Sequence, residues 1–359
     1  MYKKTKLFSL FLTILLVLTP SSTYAKASII KPENNMVTDT YESDIAKMYK
    51  TIEKYSTTWE RDSTTGKYTY PVNSSSDIWN LLNHAEKVAL CNIPDYVISD
   101  MTDEELVELT LDYPLLGDIY AYDTFYGGIE ALSEYIPAFN KIINENMLNE
   151  YLEENSSDQS VLSANCTNQT VDSIHDSIKS MFINDYIEQN NISPYLSIQE
   201  YSTASSYIYT PNYSPVYYVQ YGEQLSSQDK QNYRNYVYQN YSNCSILAEA
   251  TTNYNCHSYA WYITSFNTSR YPDPLTVWIP DPSPFMSDGS YTYVGSNPTA
   301  NGQKVYYPYS GNEHSGVVTN YSTKEITSKW GPGPLVRHNV YNCPYFVIPM
   351  VDQIVYYRR

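Results

Sequence analysis

A cysteine in the C-terminal third carries the clearest chemical signal in this sequence. Cys256 lies in the segment Asn253–Tyr262, where a polar turn, with Asn255 as a candidate N-cap, leads into a predicted helix. A thiol in the first turn of a helix faces unbonded backbone N–H groups and the positive end of the helix dipole. These groups favour the thiolate and can hold the oxyanion formed when it attacks a carbonyl. We therefore expect the pKa of Cys256 to lie below the usual value for a thiol, about 8.5.

A nucleophilic thiol needs a base, and His314 is the candidate. It lies 58 positions after Cys256, at the start of a predicted strand. A histidine in such a place can take the thiol proton and later return it to the leaving amine. His257 cannot share a helix face with its neighbour Cys256. The two histidines and the cysteine lack the fourth ligand and the regular spacing of a zinc site, so we predict neither a metal nor a cofactor.

The order of these motifs resembles that of the papain-like peptidoglycan hydrolases, the CHAP and NlpC-type families. Their nucleophile motif is similar to Asn255–Trp261, their glycine-led strand to Gly302–Tyr307, and their histidine strand to His314–Val318. The resemblance covers roughly residues 245–335. It implies an α+β domain in which a nucleophile helix packs on an antiparallel sheet. It also implies an exported cysteine amidase or endopeptidase, with cell-wall peptide as the expected substrate.

The residue that would orient the imidazole stays open. In those families an Asn, Glu, Gln or second His follows the histidine strand, and the next strand here is Glu325–Gly331. By register, Ser328 or Lys329 falls at that position. Glu325, a backbone carbonyl or Asn342 could also hold the ring.

Tyrosine is unusually abundant, with 41 Tyr against 8 Phe. Its apolar ring and polar tip suit peptide-facing clefts. We take Tyr254, beside the nucleophile, and Tyr291, in a turn-rich segment, as candidate substrate contacts, together with Trp278. The formal net charge of −17 argues against nucleic-acid binding, because phosphate backbones repel an acidic chain.

The first 25 residues have the order of a secretory signal peptide. A lysine-rich start is followed by the apolar run Leu7–Leu18, then Pro20 and small residues. As a helix this run reaches about 18 Å, less than a bilayer core of roughly 30 Å. We therefore expect cleavage after Ala25 or Ala27 and a secreted, extracellular protein without a stable membrane anchor.

The number of cysteines is odd, which in an exported protein suggests a reactive thiol. The other four could form up to two disulfides in three pairings or stay reduced, and the sequence leaves both open: Cys91, Cys166, Cys244 and Cys343.

Apolar periodicity divides the rest of the chain into two parts. Residues 40–188 are predicted to form an all-helical domain of unknown role, and residues 200–359 the papain-like domain. The helical part contains a T-x-x-E capping box at Thr102–Glu105. The second part contains short β-type runs, among them Tyr207–Tyr209, Val305–Tyr307, Ser315–Asn320, Glu325–Trp330, Phe346–Ile348 and Ile354–Tyr357.

Two alternatives to the cell-wall enzyme stay open. A non-catalytic secreted binding or structural protein could keep the papain-like fold, and a peptidase or transpeptidase acting on a secreted peptide would share the motifs. A sulfur to ring-nitrogen distance of roughly 3–4.5 Å at the floor of an open groove would favour an enzyme. Side chains buried apart would favour the non-catalytic protein.

Overall fold

The computed structural model describes residues 39–155, 171–191, 206–265, 273–308, 313–347 and 353–359. Residues Asp39–Arg359 belong to one compact unit. The signal-peptide prediction, with its cleavage positions, and Cys166 lie outside the described residues. No described helix is long and apolar enough to cross a membrane.

The protein is of the mixed α+β class, and its N-terminal half is helical, as predicted. The α-helices up to residue 191 are α1 Asp39–Tyr55, α2 His84–Leu90, α3 Asp95–Asp100, α4 Asp103–Leu111, α5 Phe125–Tyr135, α6 Pro137–Asn144, α7 Met147–Glu154 and α8 Val171–Asn191. Short 3₁₀ turns occur at Trp79–Leu81 and Leu116–Ala121.

Local sequence explains where several helices begin. In the predicted capping box, Thr102 Oγ1 accepts the backbone N–H of Glu105 at 3.2 Å, and the Glu105 carboxylate accepts the N–H of Thr102 at 3.1 Å. Asn83 and Glu86 form the same reciprocal pair at the start of α2. Satisfying these otherwise unbonded N–H groups fixes the starts of helices that are only two to three turns long.

The C-terminal half contains two further α-helices and nine strands among its described residues. They are β1 Tyr207–Tyr209, β2 Pro215–Tyr217, α9 Ser227–Asn240, β3 Ser245–Ala248, α10 Ser283–Ser287, β4 Thr292–Gly295, β5 Lys304–Tyr307, β6 His314–Asn320, β7 Glu325–Lys329, β8 Leu335–Asn339 and β9 Val355–Arg358. β1 and β2 form a separate hairpin.

The other seven strands form one sheet in the order β3-β8-β7-β6-β5-β9-β4, with every neighbouring pair antiparallel. The prediction that three runs around His314 share one sheet is confirmed, because they are the adjacent strands β5, β6 and β7. The predicted strand at Phe346–Ile348 is not seen at its described residues. The N–H of Phe346 instead bonds the carbonyl of Cys343 in a turn, which removes it from strand pairing.

The central strands of the sheet are buried on both faces, and their alternate side chains point into two different cores. Val305 and Tyr356 pack with the helical half in the larger core. Tyr306, Val317 and Tyr357 face a smaller core, built largely from the C-terminal half.

Helix α9 ties the two halves together although it belongs to the second. Its residues Tyr233, Tyr236 and Val237 lie in the larger core with the N-terminal helices. The ring of Tyr236 lies so close to Gly117 that a Cβ there would be 2.6 Å from a ring carbon. The boundary between residues 155 and 200 remains a prediction about sequence organisation; in the structure both parts contribute to one core.

Candidate functional site

Cys256 lies in the first turn of a helical segment, as its sequence predicts. Cys256 and His257 lead into a π-helix, Ser258–Ile263, which packs on strands β6 and β7. The expected cap is present, since Asn255 Oδ1 accepts the backbone N–H of Ser258 at 3.0 Å.

Asn255 is held from several directions. Its Nδ2 donates to Asp123 Oδ2 and to the carbonyl of Ile279, both at 2.8 Å. Its Oδ1 also accepts the N–H of Ile279 at 3.3 Å. The side chain is fully buried, and both ends of the amide have partners of the right kind. The residue immediately before Cys256 therefore has a single supported orientation.

Ser315, the neighbour of His314 on β6, links the strand to the Cys256 helix. Its hydroxyl bonds His257 Nδ1 at 2.9 Å and accepts the indole N–H of Trp261 at 2.8 Å. Its backbone N–H donates a hydrogen bond to the Cys256 sulfur, and this bond opposes the rise in thiol pKa that burial causes. The sulfur therefore lies beside the backbone of the residue that follows His314.

The imidazole of His314 is completely buried, with an exposed fraction of 0%. Among the described residues, neither of its ring nitrogens has a hydrogen-bond partner, and this includes Cys256 Sγ. The ring instead stacks on Tyr345, and burial holds the His314 pKa well below its usual value, which favours the neutral ring. The thiol–imidazole hydrogen bond that would mark an assembled pair is not formed in this structure.

The expectation of a low thiol pKa is wrong. Burial raises the pKa of Cys256 well above its usual value, and the negative charge of Asp123 adds to the rise. The N–H groups of Ser315 and His257 and the charge of Lys329 act in the opposite direction, with smaller effect. Position at a helix N-terminus is visible in the sequence, but the loss of water around the sulfur depends on tertiary packing.

None of the candidates for the orienting residue, which are Ser328, Lys329, Glu325, Asn342 and a backbone carbonyl, bonds His314 among the described residues. Ser328 Oγ bonds His338 Nε2 at 2.7 Å and accepts the indole N–H of Trp330 at 3.2 Å. Lys329 Nζ donates to the carbonyls of Thr251 at 2.9 Å and Gly331 at 2.6 Å. Burial lowers the pKa of Lys329 to about 7.

The three candidate substrate contacts are buried in this structure. Tyr254 is 7% exposed, and its ring lies 5.2 Å from the ammonium of Lys329. Tyr291 is 4% exposed; its ring packs against Trp261 with centroids 5.1 Å apart, and its hydroxyl donates to Ser265 Oγ at 2.5 Å. Trp278 is also buried.

The cysteines Cys91, Cys244, Cys256 and Cys343 are free thiols. Of the four cysteines whose pairing the sequence left open, the three described ones, Cys91, Cys244 and Cys343, are therefore reduced. Burial raises the pKa of Cys244 and Cys343 to about 12.

The structure brings to the site two residues that the sequence did not indicate. Asp123 bonds Asn255 across 132 positions of sequence, and Tyr345 stacks on His314. Desolvation raises the pKa of Asp123 to about 6, opposed by hydrogen bonds from Asn255 and Trp278 and by the charge of Lys329. No local pattern around Asp123 or Tyr345 could have revealed these contacts.

Comparison with known proteins adds no assignment to this geometry. No protein-family model, no curated protein and no solved structure matches the chain.

Proposed function

We propose that this protein is an exported cysteine amidase or endopeptidase with a papain-like C-terminal part, acting on cell-wall peptide. Cys256 is the nucleophile and His314 the general base. The observation that carries this proposal is the environment of His314: a fully buried imidazole with neither nitrogen hydrogen-bonded among the described residues, next to the residue whose N–H faces the thiol. A buried polar group without a hydrogen-bond partner lowers the free energy of unfolding by about 1–3 kcal/mol, and a purely structural role does not explain such a group at this position.

The reaction begins from a neutral thiol and a neutral imidazole. Once the sulfur and a ring nitrogen of His314 come within hydrogen-bond distance, the Cys256 proton passes to that nitrogen as the sulfur attacks the substrate carbonyl. Backbone N–H groups in the first turn of the helix stabilise the oxyanion. The imidazolium then gives its proton to the leaving amine as the C–N bond breaks. Water, deprotonated by His314, hydrolyses the thioester and releases the acid and the free thiol.

The non-catalytic alternative has support of its own. Cys256 is 2% exposed and His314 0%, and no hydrogen bond joins them in the described part of the chain. Such burial is expected of a papain-like fold kept as a secreted binding or structural protein.

Incubation of the mature protein with purified cell-wall peptides, with products identified by mass, separates the two functions. The enzyme predicts new termini at an amide bond, loss of hydrolysis in Cys256→Ser, and a fall of about 10²–10⁴-fold in His314→Ala. Cys244→Ser is the matched control, because that thiol contacts the carbonyl of Asn342 and takes no part in the proposed chemistry. Hydrolysis that survives Cys256→Ser would refute the proposed mechanism.

A further inference from the structure

The segment Ala121–Asp123 of the helical half reaches the candidate site by three separate contacts. Asp123 accepts a hydrogen bond from Asn255 at 2.8 Å. The hydroxyl of Tyr345, which stacks on His314, donates to the carbonyl of Ala121. Gly331, two residues after Lys329, lies against the same segment. A piece of the helical half therefore contacts a neighbour of each proposed catalytic residue, Asn255 beside Cys256 and Tyr345 beside His314.

The contact at Gly331 shows how tightly the segment is packed. A Cβ at Gly331 would lie 2.5 Å from the carbonyl oxygens of Ala121 and Tyr122, and the residue has a φ of +48°. Both features favour glycine at this position.

The contact at Asp123 acts on the proposed nucleophile. The carboxylate and the carbonyl of Ile279 share the two donors of the Asn255 amide, which fixes the direction of its oxygen. That oxygen caps Ser258 in the first turn of the Cys256 helix. Loss of the carboxylate would leave an amide donor without a partner and would loosen the cap.

We infer that Asp123 is a positioning residue, which orients Asn255 and through it the first turn of the Cys256 helix. This inference rests on the proposed function for its catalytic consequence. It also gives the helical half a role, since that half supplies part of the support for the nucleophile.

Two substitutions separate position from charge in the full mature chain. Asp123→Ala removes the acceptor, whereas Asp123→Asn keeps a carbonyl oxygen that can accept from Asn255. We expect Asp123→Ala to lower kcat on cell-wall peptide by about 10- to 100-fold with little change in KM, because the nucleophile is displaced slightly while substrate binding is retained. Asp123→Asn should restore most of the kcat. Asp112→Ala, at a carboxylate that pairs with the partly exposed Lys179, is the matched control.

Amide hydrogen exchange gives a measurement that does not need activity. Exchange in the peptide that contains Ser258–Ile263 should be faster in Asp123→Ala than in the wild type, and unchanged in Asp123→Asn and Asp112→Ala. If Asp123→Ala does not fold, Gly331→Ala provides the same test, since its added methyl group displaces Ala121–Asp123. We expect it to increase exchange in that peptide as well.

The outcomes distinguish this inference from the proposed function. Unchanged exchange in folded Asp123→Ala, or equal losses of kcat in Asp123→Ala and Asp123→Asn, would overturn the positioning role. Faster exchange in Asp123→Ala, with a wild-type chain that hydrolyses no peptide, would support the positioning of the helix while refuting the hydrolase.

Discussion

The imidazole of His314 and the phenol ring of Tyr345 are stacked, with their centroids 3.5 Å apart and their planes 8° from parallel. The hydroxyl of Tyr345 donates to the carbonyl of Ala121 in the helical half. The candidate base thus packs on the ring of Tyr345, and a hydrogen bond ties that ring to the helical half of the protein.

This stacking predicts different effects for two substitutions of Tyr345. Tyr345→Phe loses only the hydrogen bond to Ala121 and should lower the free energy of unfolding by about 0.5–1.5 kcal/mol. Tyr345→Ala removes a buried ring and leaves a cavity beside His314, so the loss should be about 3–5 kcal/mol. Urea unfolding of both variants measures the difference. Equal losses would mean that the ring contributes little beyond its hydroxyl.

His314 should be a site where stability and activity oppose each other. Among the described residues its ring nitrogens are unpaired, so His314→Leu removes two buried polar atoms without breaking a hydrogen bond. We expect the free energy of unfolding to stay the same or to rise by about 1–3 kcal/mol, while hydrolysis is lost. Thermal unfolding and the peptide assay test this.

The matched control is His338→Leu. The ring of His338 bonds Ser328 Oγ at 2.7 Å and the carbonyl of Asn339 at 2.8 Å, and it is equally buried. This variant should be destabilised. A His314→Leu protein that loses as much stability as His338→Leu would indicate that His314 has structural partners in solution.

Stability should depend on pH through His257. Burial lowers its pKa to about 3, whereas in the unfolded chain the ring titrates near 6.5. Between these two pH values the unfolded state binds one more proton than the folded state. The contribution of His257 to the free energy of unfolding is therefore fully present above pH 6.5 and is lost as the pH falls towards 3. The contribution to the slope is about 1.4 kcal/mol per pH unit.

Urea unfolding of the wild type and His257→Asn between pH 6 and pH 4 isolates this contribution. Asparagine does not titrate in this range, so the free energy of unfolding of the variant should fall less steeply, by about 1.4 kcal/mol per pH unit. Parallel pH profiles would show that His257 is protonated in the folded protein.

Asp118 should be the most sensitive carboxylate of the larger core. It is 1% exposed, accepts from the hydroxyls of Tyr236 at 2.8 Å and of Tyr241, and is hydrogen-bonded to His84 Nε2 at 2.8 Å. Asp118→Asn replaces one accepting oxygen with an amide donor and removes the carboxylate that bonds His84. We therefore expect the free energy of unfolding to fall by about 3–5 kcal/mol.

Asp112→Asn is the control for Asp118→Asn. Asp112 forms an ion pair with Lys179 at 2.6 Å with both groups partly exposed, which is worth about 0–1 kcal/mol. Similar losses in the two variants, measured by urea unfolding, would contradict a special role for the buried network around Asp118.

The features that the sequence predicts well are local ones. The Thr102–Glu105 capping box, the cap at Asn255 and the strand carrying Ser315–Asn320 each depend on a few neighbouring residues, and each is present. The sequence does not indicate strand β8, Leu335–Asn339, because the polar residues Arg337, His338 and Asn339 interrupt the apolar pattern of a strand. His338 is buried there because Ser328, on the paired strand, supplies a partner.

The parts of the site that escaped prediction depend on distant contacts. The pKa of Cys256 is set by burial and by Asp123, which is far away in sequence. The same holds for Tyr345 and His314, since stacking requires that a turn after β8 meets the start of β6. A thiol near a helix start can be recognised from the sequence, whereas its solvation cannot.

Helix α9 also bears on the order in which the chain can fold during synthesis. Tyr233 and Tyr236 fill positions in the core of the N-terminal helices, beside Tyr120 and Gly117. A nascent chain that ends before residue 227 has every N-terminal helix but leaves this apolar surface open to water. The helical half therefore cannot complete its core until α9, which comes later in the chain, has been synthesised and has packed against it.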